Sequence, residues 1–407
     1  MSLIALADSD SYLKWAAGTA ERLVASGAVD EAVVQLLASP VLPSEPQRRA
    51  ALDRSRWRSR DLAVLRLLDL VEQVRVRRPQ AVLVGMRGPT AAVVLRELSS
   101  LPDRPVLVTG LPGLAIPATR KALYYRAQAD LMVVHSRGER RAFDTRAREL
   151  GWDHRFALSS LPFLERRPAS GDDIVFAAQA LVPATVEERR WLVRRLDALA
   201  RGLPHRRVVL KVRATANEQQ THAERWPLPD LLEELPDRAP NLVVRGGSMQ
   251  DALDSAGALA TVSSTAIIEA VARGIPALAV DDFGVSEALI NPVFRGSGLL
   301  GSIDGPLDGR FRMPDATWAA DNYLHTEADD DVATVLAALI AERASGALPA
   351  RRPVRSTLGG PLRRAWDRKT ALGPHDRSLI GAAALAVGTP VRAIARRATR
   401  LRSVLSP

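Results

Sequence analysis

The stretch LATVSSTAIIEAVARGIPALAV, residues 259–280, decides how this chain is read. It predicts strand, tight turn, helix, turn, strand. Residues 258–262 are a short apolar run, and Ser263, Ser264 and Thr265 follow where a helix should begin. Ile267, Ile268, Val271 and Ala272 recur at helical spacing. Gly274 and Pro276 stop that helix, and residues 277–280 form a second buried strand. Three hydroxyls heading a helix after a buried strand suit an anion, phosphate above all. Unpaired backbone N–H groups and the positive dipole end converge there. The same residues also suit plain capping by Ser263 or Ser264.

Upstream, residues 3–7 are an apolar strand that runs into Asp8-Ser9-Asp10-Ser11 and a helix over 12–26. A first strand with carboxylates at its C-terminal end is where doubly wound sheets place chemistry. The plain alternative is one Asp capping the helix and the other solvated. Residues 28–58 read as a short helix, a bend at Pro40, Pro43 and Pro46, and a basic segment. A helix over 62–76 should turn Leu65, Leu68, Val71 and Val76 inward. Strands at 81–85, 105–109, 131–134 and 156–158 alternate with helices at 91–98 and 137–150. Gly110-Leu111-Pro112-Gly113 is a loop whose small residues let a ligand approach the backbone. His135 ends a strand and faces the expected cleft, although a lone His also fits a satisfied structural role.

Residues 165–173, with Pro168 and Gly171, read as a hinge, after which the pattern restarts. A strand over 174–177 ends at Gln179, and Thr185 caps the next helix. A strand over 207–212 carries Lys211 and runs to Arg213; a polar loop with His222 follows. A strand over 242–244 ends in Arg245-Gly246-Gly247-Ser248, and a short helix leads into the opening stretch. Asp281-Asp282 either lines the cleft or turns the chain. Residues 285–328 are irregular and should be partly ordered around the cleft. A helix over 331–343 is headed by Asp329-Asp330-Asp331, which should cap it. The expected class is therefore α/β: two Rossmann-like doubly wound domains, 1–165 and 172–350, facing a cleft, and a basic helical tail over 351–407.

The totals agree. A length of 407 residues favours two α/β domains, since single cores stop growing at about 250–300 residues. Cysteine is absent, which excludes disulfides and thiolate chemistry and points to the cytoplasm. The first residues carry acids and do not read as a signal peptide. No apolar run reaches the roughly 20 residues that span a bilayer. Residues 351–407 hold 13 Lys+Arg against 2 Asp+Glu, whereas residues 1–350 hold 43 against 44. The basicity belongs to the tail. There, residues 379–387 are apolar, and Thr389-Pro390 starts a helix with Val391, Ile394, Ala398, Leu401 and Leu405 on one face. Arg392, Arg396, Arg397, Arg400 and Arg402 fill the rest, which suits an anionic membrane surface reached through 379–407. A helix packed on the protein with its arginines outward is the alternative. With 4% aromatics and no stacking motif, nucleic acid is not an expected partner.

Two α/β halves with SSTAIIEAVARGIP in the second resemble GT-B glycosyltransferases, on the branch of capsule polymerases and sialyl- or Kdo-type transferases. ADSDSYLKW, residues 7–15, is similar to uncharacterised actinobacterial proteins of glycosyltransferase type. The resemblance covers about 330 residues, and its Ser-Ser-Thr…Glu…Gly-Ile-Pro pattern also fits nucleotide-sugar epimerases. It implies that Ser263, Ser264 and Thr265 hold the donor phosphate, that Glu269 reaches the donor ribose, and that Asp8 or Asp10 is the base. Gln179, Lys211, Arg213, Gly247 and Ser248 would line the donor site, with Gly110, Gly113 and His135 on the acceptor side. The capsule-type His-Pro pair is missing; the strand end reads Lys211-Val212-Arg213-Ala214, so Lys211 or Arg213 would supply positive charge.

Sugar transfer needs a base for the acceptor hydroxyl and a holder for charge on the leaving phosphate. Aspartate does the first; helix amides with Lys or Arg do the second without a metal. The expectation is a sugar transfer from a nucleotide donor, CMP- or UDP-linked, to a cell-envelope glycan or lipid, with no cofactor. An epimerase of the same fold and a non-catalytic membrane-associated binding protein are the rivals.

Overall fold

In a computed structural model, the structure describes residues 1–53, 55–212, 224–305, 309–352 and 360–388. Arg213, His222 and the helix expected after Thr389 lie outside them.

The first lobe runs β1 (Ser2–Ala7), α1 (Asp10–Ala25), β2 (Glu31–Leu37), α2 (Glu45–Ala51), β3 (Val64–Leu65), α3 (Leu67–Arg77), β4 (Ala81–Gly85), α4 (Gly88–Ser99), β5 (Val106–Gly110), α5 (Arg120–Arg126), β6 (Leu131–Val134), α6 (Arg137–Leu150) and β7 (Phe156–Leu158). Its strands form one sheet in the order β3-β2-β1-β4-β5-β6-β7. Every pairing is parallel. Period-two alternation serves both faces: Leu3, Ala5 and Ala7 of β1 enter one core cluster, Ile4 and Leu6 the other.

The second lobe runs β8 (Asp173–Ala177), α7 (Val186–Gly202), β9 (Val208–Lys211), α8 (Leu228–Glu233), β10 (Leu242–Arg245), α9 (Met249–Asp254), β11 (Ala256–Thr261), α10 (Ala266–Ala272), β12 (Ala277–Val280) and β13 (Leu300–Gly301). Its sheet order, β10-β9-β8-β11-β12-β13, repeats the first-lobe order in shorter form, again all parallel. Thr185 closes a full capping box with Glu188 at the start of α7.

Two of the expected elements differ, and the partial order expected within residues 285–328 is present. Residues 31–37 are a strand, not a short helix; Val34, Leu36 and Leu37 are buried beside β1. The helix expected over 62–76 begins at Leu67 and turns Leu67, Leu70 and Val74 inward, leaving Leu68 and Val76 exposed. Part of the irregular region is ordered: β13 lies within it, and α11 (Ala316–Asp321) precedes the crossing back. After α11 the chain recrosses, so that α12 (Val332–Ala344) packs Val332, Leu336, Leu339 and Ile340 into the first-lobe core. The expected domain 172–350 therefore gives its last helix to the first lobe. Asp331 heads α12 without a side-chain cap; its Oδ1 instead accepts from Leu158 N at 2.7 Å, and Asp330 Oδ1 accepts from Ser160 N at 2.7 Å. The tail also packs: α13 (Gly360–Leu372) lies on α4, with Ala371 and Leu372 in the first-lobe core.

Candidate active site

Each sheet reverses direction of growth once, between β1 and β4 and between β8 and β11. Open α/β sheets bind ligands outside the strand ends at such points. The residues that follow those strands meet in pairs. After β1, Asp8 Oδ1 accepts from Arg87 N and Oδ2 from Arg87 Nε, both at 3.2 Å, with Arg87 following β4. After β8, Gln179 Oε1 accepts from Ser263 N at 2.8 Å, and its Nε2 donates to Ser263 Oγ at 3.0 Å, with Ser263 following β11.

Asp8 is fully buried. Burial pushes its carboxyl above the usual range, and the Arg87 guanidinium pulls back in part. Asp10 is half-buried at the start of α1, where Ser11 Oγ approaches its Oδ1 at 3.4 Å. Between them, Ser9 Oγ is buried with no hydrogen-bond partner among the described residues.

Most donors of the hydroxyl turn are already used. Ser263 N goes to Gln179, Ser264 N to Thr261 Oγ1 at 3.3 Å and Ala266 N to Ser264 Oγ at 3.2 Å. Among the described residues, the Thr265 hydroxyl and amide make no hydrogen bond. Thr265 faces the other lobe: a Cβ on Gly113 would lie 2.3 Å from its Oγ1.

The lobes are tied close by. Lys14 on α1 donates to Glu269 Oε2 on α10 at 2.8 Å, and Gln250 Nε2 donates to the same oxygen at 2.9 Å. Glu269 is thus buried against the first lobe rather than presented to a ribose. Lys14 Nζ also sits 4.2 Å from the centre of the Phe163 ring. Lys14 lies one turn beyond Asp10, and Glu269 one turn beyond Thr265. The ion pair therefore ties α1 to α10, the helices that follow the Asp8–Asp10 strand end and the 263–265 turn. Ser248 adds a second tie, donating from Oγ to Asp53 Oδ2 at 3.1 Å while capping α9.

Other expected site residues take structural roles. Lys211 is buried and gives its ammonium to the carbonyls of Val212 and Gly247, both at 2.8 Å, which braces the turn where Gly247 adopts φ +82°. Gly110 makes room for protein, not ligand: a Cβ there would lie 2.4 Å from Trp15 Cζ2. His135 has both nitrogens committed, Nε2 accepting from Trp15 Nε1 at 2.7 Å and Nδ1 donating to Ser159 O at 2.7 Å. Burial pulls its pKa down to about 4, so the ring is neutral. Asp282 turns the chain, accepting from Ser302 Oγ at 2.5 Å and Ile303 N at 2.8 Å. Among the described residues no cluster of three His, Asp or Glu is placed to hold a metal.

The reading of the sequence missed Lys14, Arg87 and Ser9. Arg87 had a signal: it follows a buried strand and precedes Gly88-Pro89-Thr90, as Asp8 precedes α1.

A family profile described as "Putative glycosyltransferase (DUF6716)" matches residues 3–339. No curated protein matches the sequence. Among solved structures, a putative UDP-N-acetylglucosamine 2-epimerase from Listeria monocytogenes is similar at TM-score 0.51 and 9% identity, over 88% of this chain and 99% of that one. The S. aureus MnaA–UDP co-structure is similar at TM-score 0.50 and 10% identity, over 86% and 98%. Spinosyn rhamnosyltransferase SpnG aligns over 91% and 100%, at TM-score 0.43 and 13% identity. At such identities the likeness is one of fold: two Rossmann-like lobes of the GT-B type.

Proposed function

The chain belongs to the family described as putative glycosyltransferase (DUF6716), an enzyme family, and on that premise we propose that it moves a sugar from a nucleoside-diphosphate donor to a cell-envelope acceptor. The observation that carries this reading is the meeting of α1 and α10 through Lys14 and Glu269. It ties the helix after the carboxylate-bearing strand end in one lobe to the helix after the hydroxyl turn in the other. Thr265, with its uncommitted hydroxyl and amide, takes a donor phosphate oxygen. Asp10, half-buried at the mouth, removes the acceptor proton, and Asp8 with Arg87 sets the charge behind it. Glu269 reaches a donor ribose only after leaving Lys14, so donor entry and lobe closure compete for one carboxylate. No helix among the described residues is long and apolar enough to cross a membrane. We place the protein at the inner membrane face through its tail, where lipid-linked acceptors are met.

A thermal-shift screen against UDP, CMP, GDP and TDP tests the donor. UDP comes first because the similar MnaA structure holds it. A ligand at a hundred times its Kd adds about 2.7 kcal/mol of stability, which a melt resolves. Indifference to all four nucleotides, or a response to CMP alone, ends the nucleoside-diphosphate reading. Mixing UDP-N-acetylglucosamine with the protein alone separates the rival: formation of a 2-epimer without any acceptor identifies an epimerase.

A further inference from the structure

Outside the interlobe region, the first lobe carries a groove of about 1040 Å3 between α4, α5 and α13. That is the size of a site for a substantial ligand. It runs the length of α4, from Pro89 in the first turn to Ser99 at the last. Arg96, Arg351, Arg352, Arg363 and Arg364 line it against Glu97 and Asp367, and Tyr124 and Tyr125 add aromatic wall. Part of that charge is spent. Arg351 pairs with Asp130 and Asp153, and Asp367 takes both Arg363, at 3.1 Å, and Arg96 Nη1, at 4.0 Å. Arg352 and Arg364 are exposed and make no ion pair among the described residues. Arg96 Nε is buried with no hydrogen-bond partner among them. Among the described residues the groove thus keeps two guanidinium groups without an ion pair, Arg352 and Arg364, and one unpartnered N–H at Arg96 Nε beside its Asp367 pair.

Beside it lies an unusual helix. Residues 379–388 are helical and read LIGAAALAVG, without one polar side chain. Ala384 joins Ala365 and Trp366 in a cluster, Leu385 is 36% exposed, and a Cβ on Gly388 would lie 2.4 Å from Trp366 Cδ1. Leu379 is 87% exposed, Val387 67% and Ile380 62%, and Leu362 on α13 adds 60%. A helix apolar all round is normally buried. A contiguous exposed apolar patch marks a partner or a membrane. Arginines at its edge match anionic lipid headgroups by charge and by forked geometry.

We propose that this face binds a phosphate-bearing lipid in a bilayer, with the helix over 379–388 among the acyl chains and the lipid phosphate in the groove, held by Arg96, Arg352 and Arg364. This rests on the membrane placement proposed above and gives it a defined headgroup site, distinct from the basic sequence after residue 388.

The test is vesicle sedimentation of the full chain. It compares phosphatidylcholine vesicles with and without phosphatidylglycerol, for the natural chain, Arg352→Glu/Arg364→Glu and Leu379→Asp/Ile380→Asp. All four altered positions are exposed, and circular dichroism checks the fold. The natural chain should pellet with the phosphatidylglycerol vesicles, less so at high salt. The arginine variant should partition at least about thirty-fold more weakly, and the leucine variant should stay in solution. Vesicle binding that Arg352→Glu/Arg364→Glu leaves unchanged overturns the groove and leaves the membrane placement standing. Absence of binding to either vesicle overturns both. A chain that ignores vesicles and runs as a dimer, broken by Leu379→Asp/Ile380→Asp, has a second copy as the occupant instead. Saturable binding of inorganic phosphate without vesicle binding makes the ligand a soluble phosphate and overturns the lipid.

Discussion

Lys14 and Glu269, 255 residues apart in the chain, meet at 2.8 Å and join the two lobes beside both candidate site helices. The Glu269 side chain is 6% exposed and Lys14 25%. Lys14→Ala leaves a buried carboxylate with only Gln250 as a neutral donor and should cost about 1–3 kcal/mol of stability. Adding Glu269→Gln should recover much of that loss, since the amide needs no counter-charge. Urea melts of the two single variants and the double variant read the coupling directly.

The two aspartates should separate by assay. Asp10→Asn should lower kcat for sugar transfer by about 10²–10⁴ with donor KM unchanged, the signature of a lost base. Asp8→Asn should lower it less and should not lower the melting temperature. The ionised Asp8 carboxylate is held at a cost, because burial outweighs Arg87 in setting its pKa. A melting temperature that falls with Asp8→Asn would show the Arg87 pair to be a net stabiliser.

Glu139 and His135 should oppose each other in the pH dependence of stability. Burial raises the Glu139 pKa from 4.5 to about 7, despite donors from Tyr323 Oη, Ala115 N and His135 N. Between those values the folded state binds more protons than the unfolded, so this group makes stability fall as pH rises, then level off above pH 7. His135 falls from 6.5 to about 4, so in that window the unfolded state binds more protons and stability climbs with pH. Glu139→Gln removes the first effect. The variant's stability should climb between pH 4 and 6.5 by up to about 3 kcal/mol, while the natural chain stays flatter over pH 4.5–6.5. Urea titrations at stepped pH show either result.

At two glycines, Gly110 and Gly113, an added methyl should do damage of different kinds. Gly110→Ala drives a methyl into Trp15 inside the core and should cost about 1–3 kcal/mol. Gly113→Ala meets Thr265 across the lobes, where the lobes yield before the core does. It should raise donor KM with a smaller drop in melting temperature. Equal drops in both variants would mean the interlobe seam is as unyielding as the core.

Much of the fold was legible because strand and helix periods differ and the caps are local. Thr185 with Glu188, or Gly151 ending α6 at φ +63°, can be read from a few adjacent residues. Residues 31–37 were not, since a seven-residue run with Val33 and Val34 fits either period until β1 supplies a neighbour. The site was half legible. The turn over 263–265 and the Asp8–Asp10 strand end stand at the switch points, as the order of elements suggested. Which groups remain open to a ligand was not, because that depends on distant partners. Trp15 closes the His135 ring from 120 residues away, and the Gly247 carbonyl takes Lys211 from 36. Ordering along the chain likewise said nothing about which lobe would own α12.

That ownership makes the molecule a loop rather than two beads on a string. The backbone leaves the first lobe at residues 159–172 and comes home before α12. A single protease cut at Pro168 would leave the halves associated, since Leu336 and Leu339, fully buried under the first sheet, are each worth roughly 1.5–3 kcal/mol. Expressing residues 1–165 alone would bare that seat and invite aggregation. Two straps also restrict how the halves swing: opening becomes rotation about the line joining both crossings, not free tumbling on one tether.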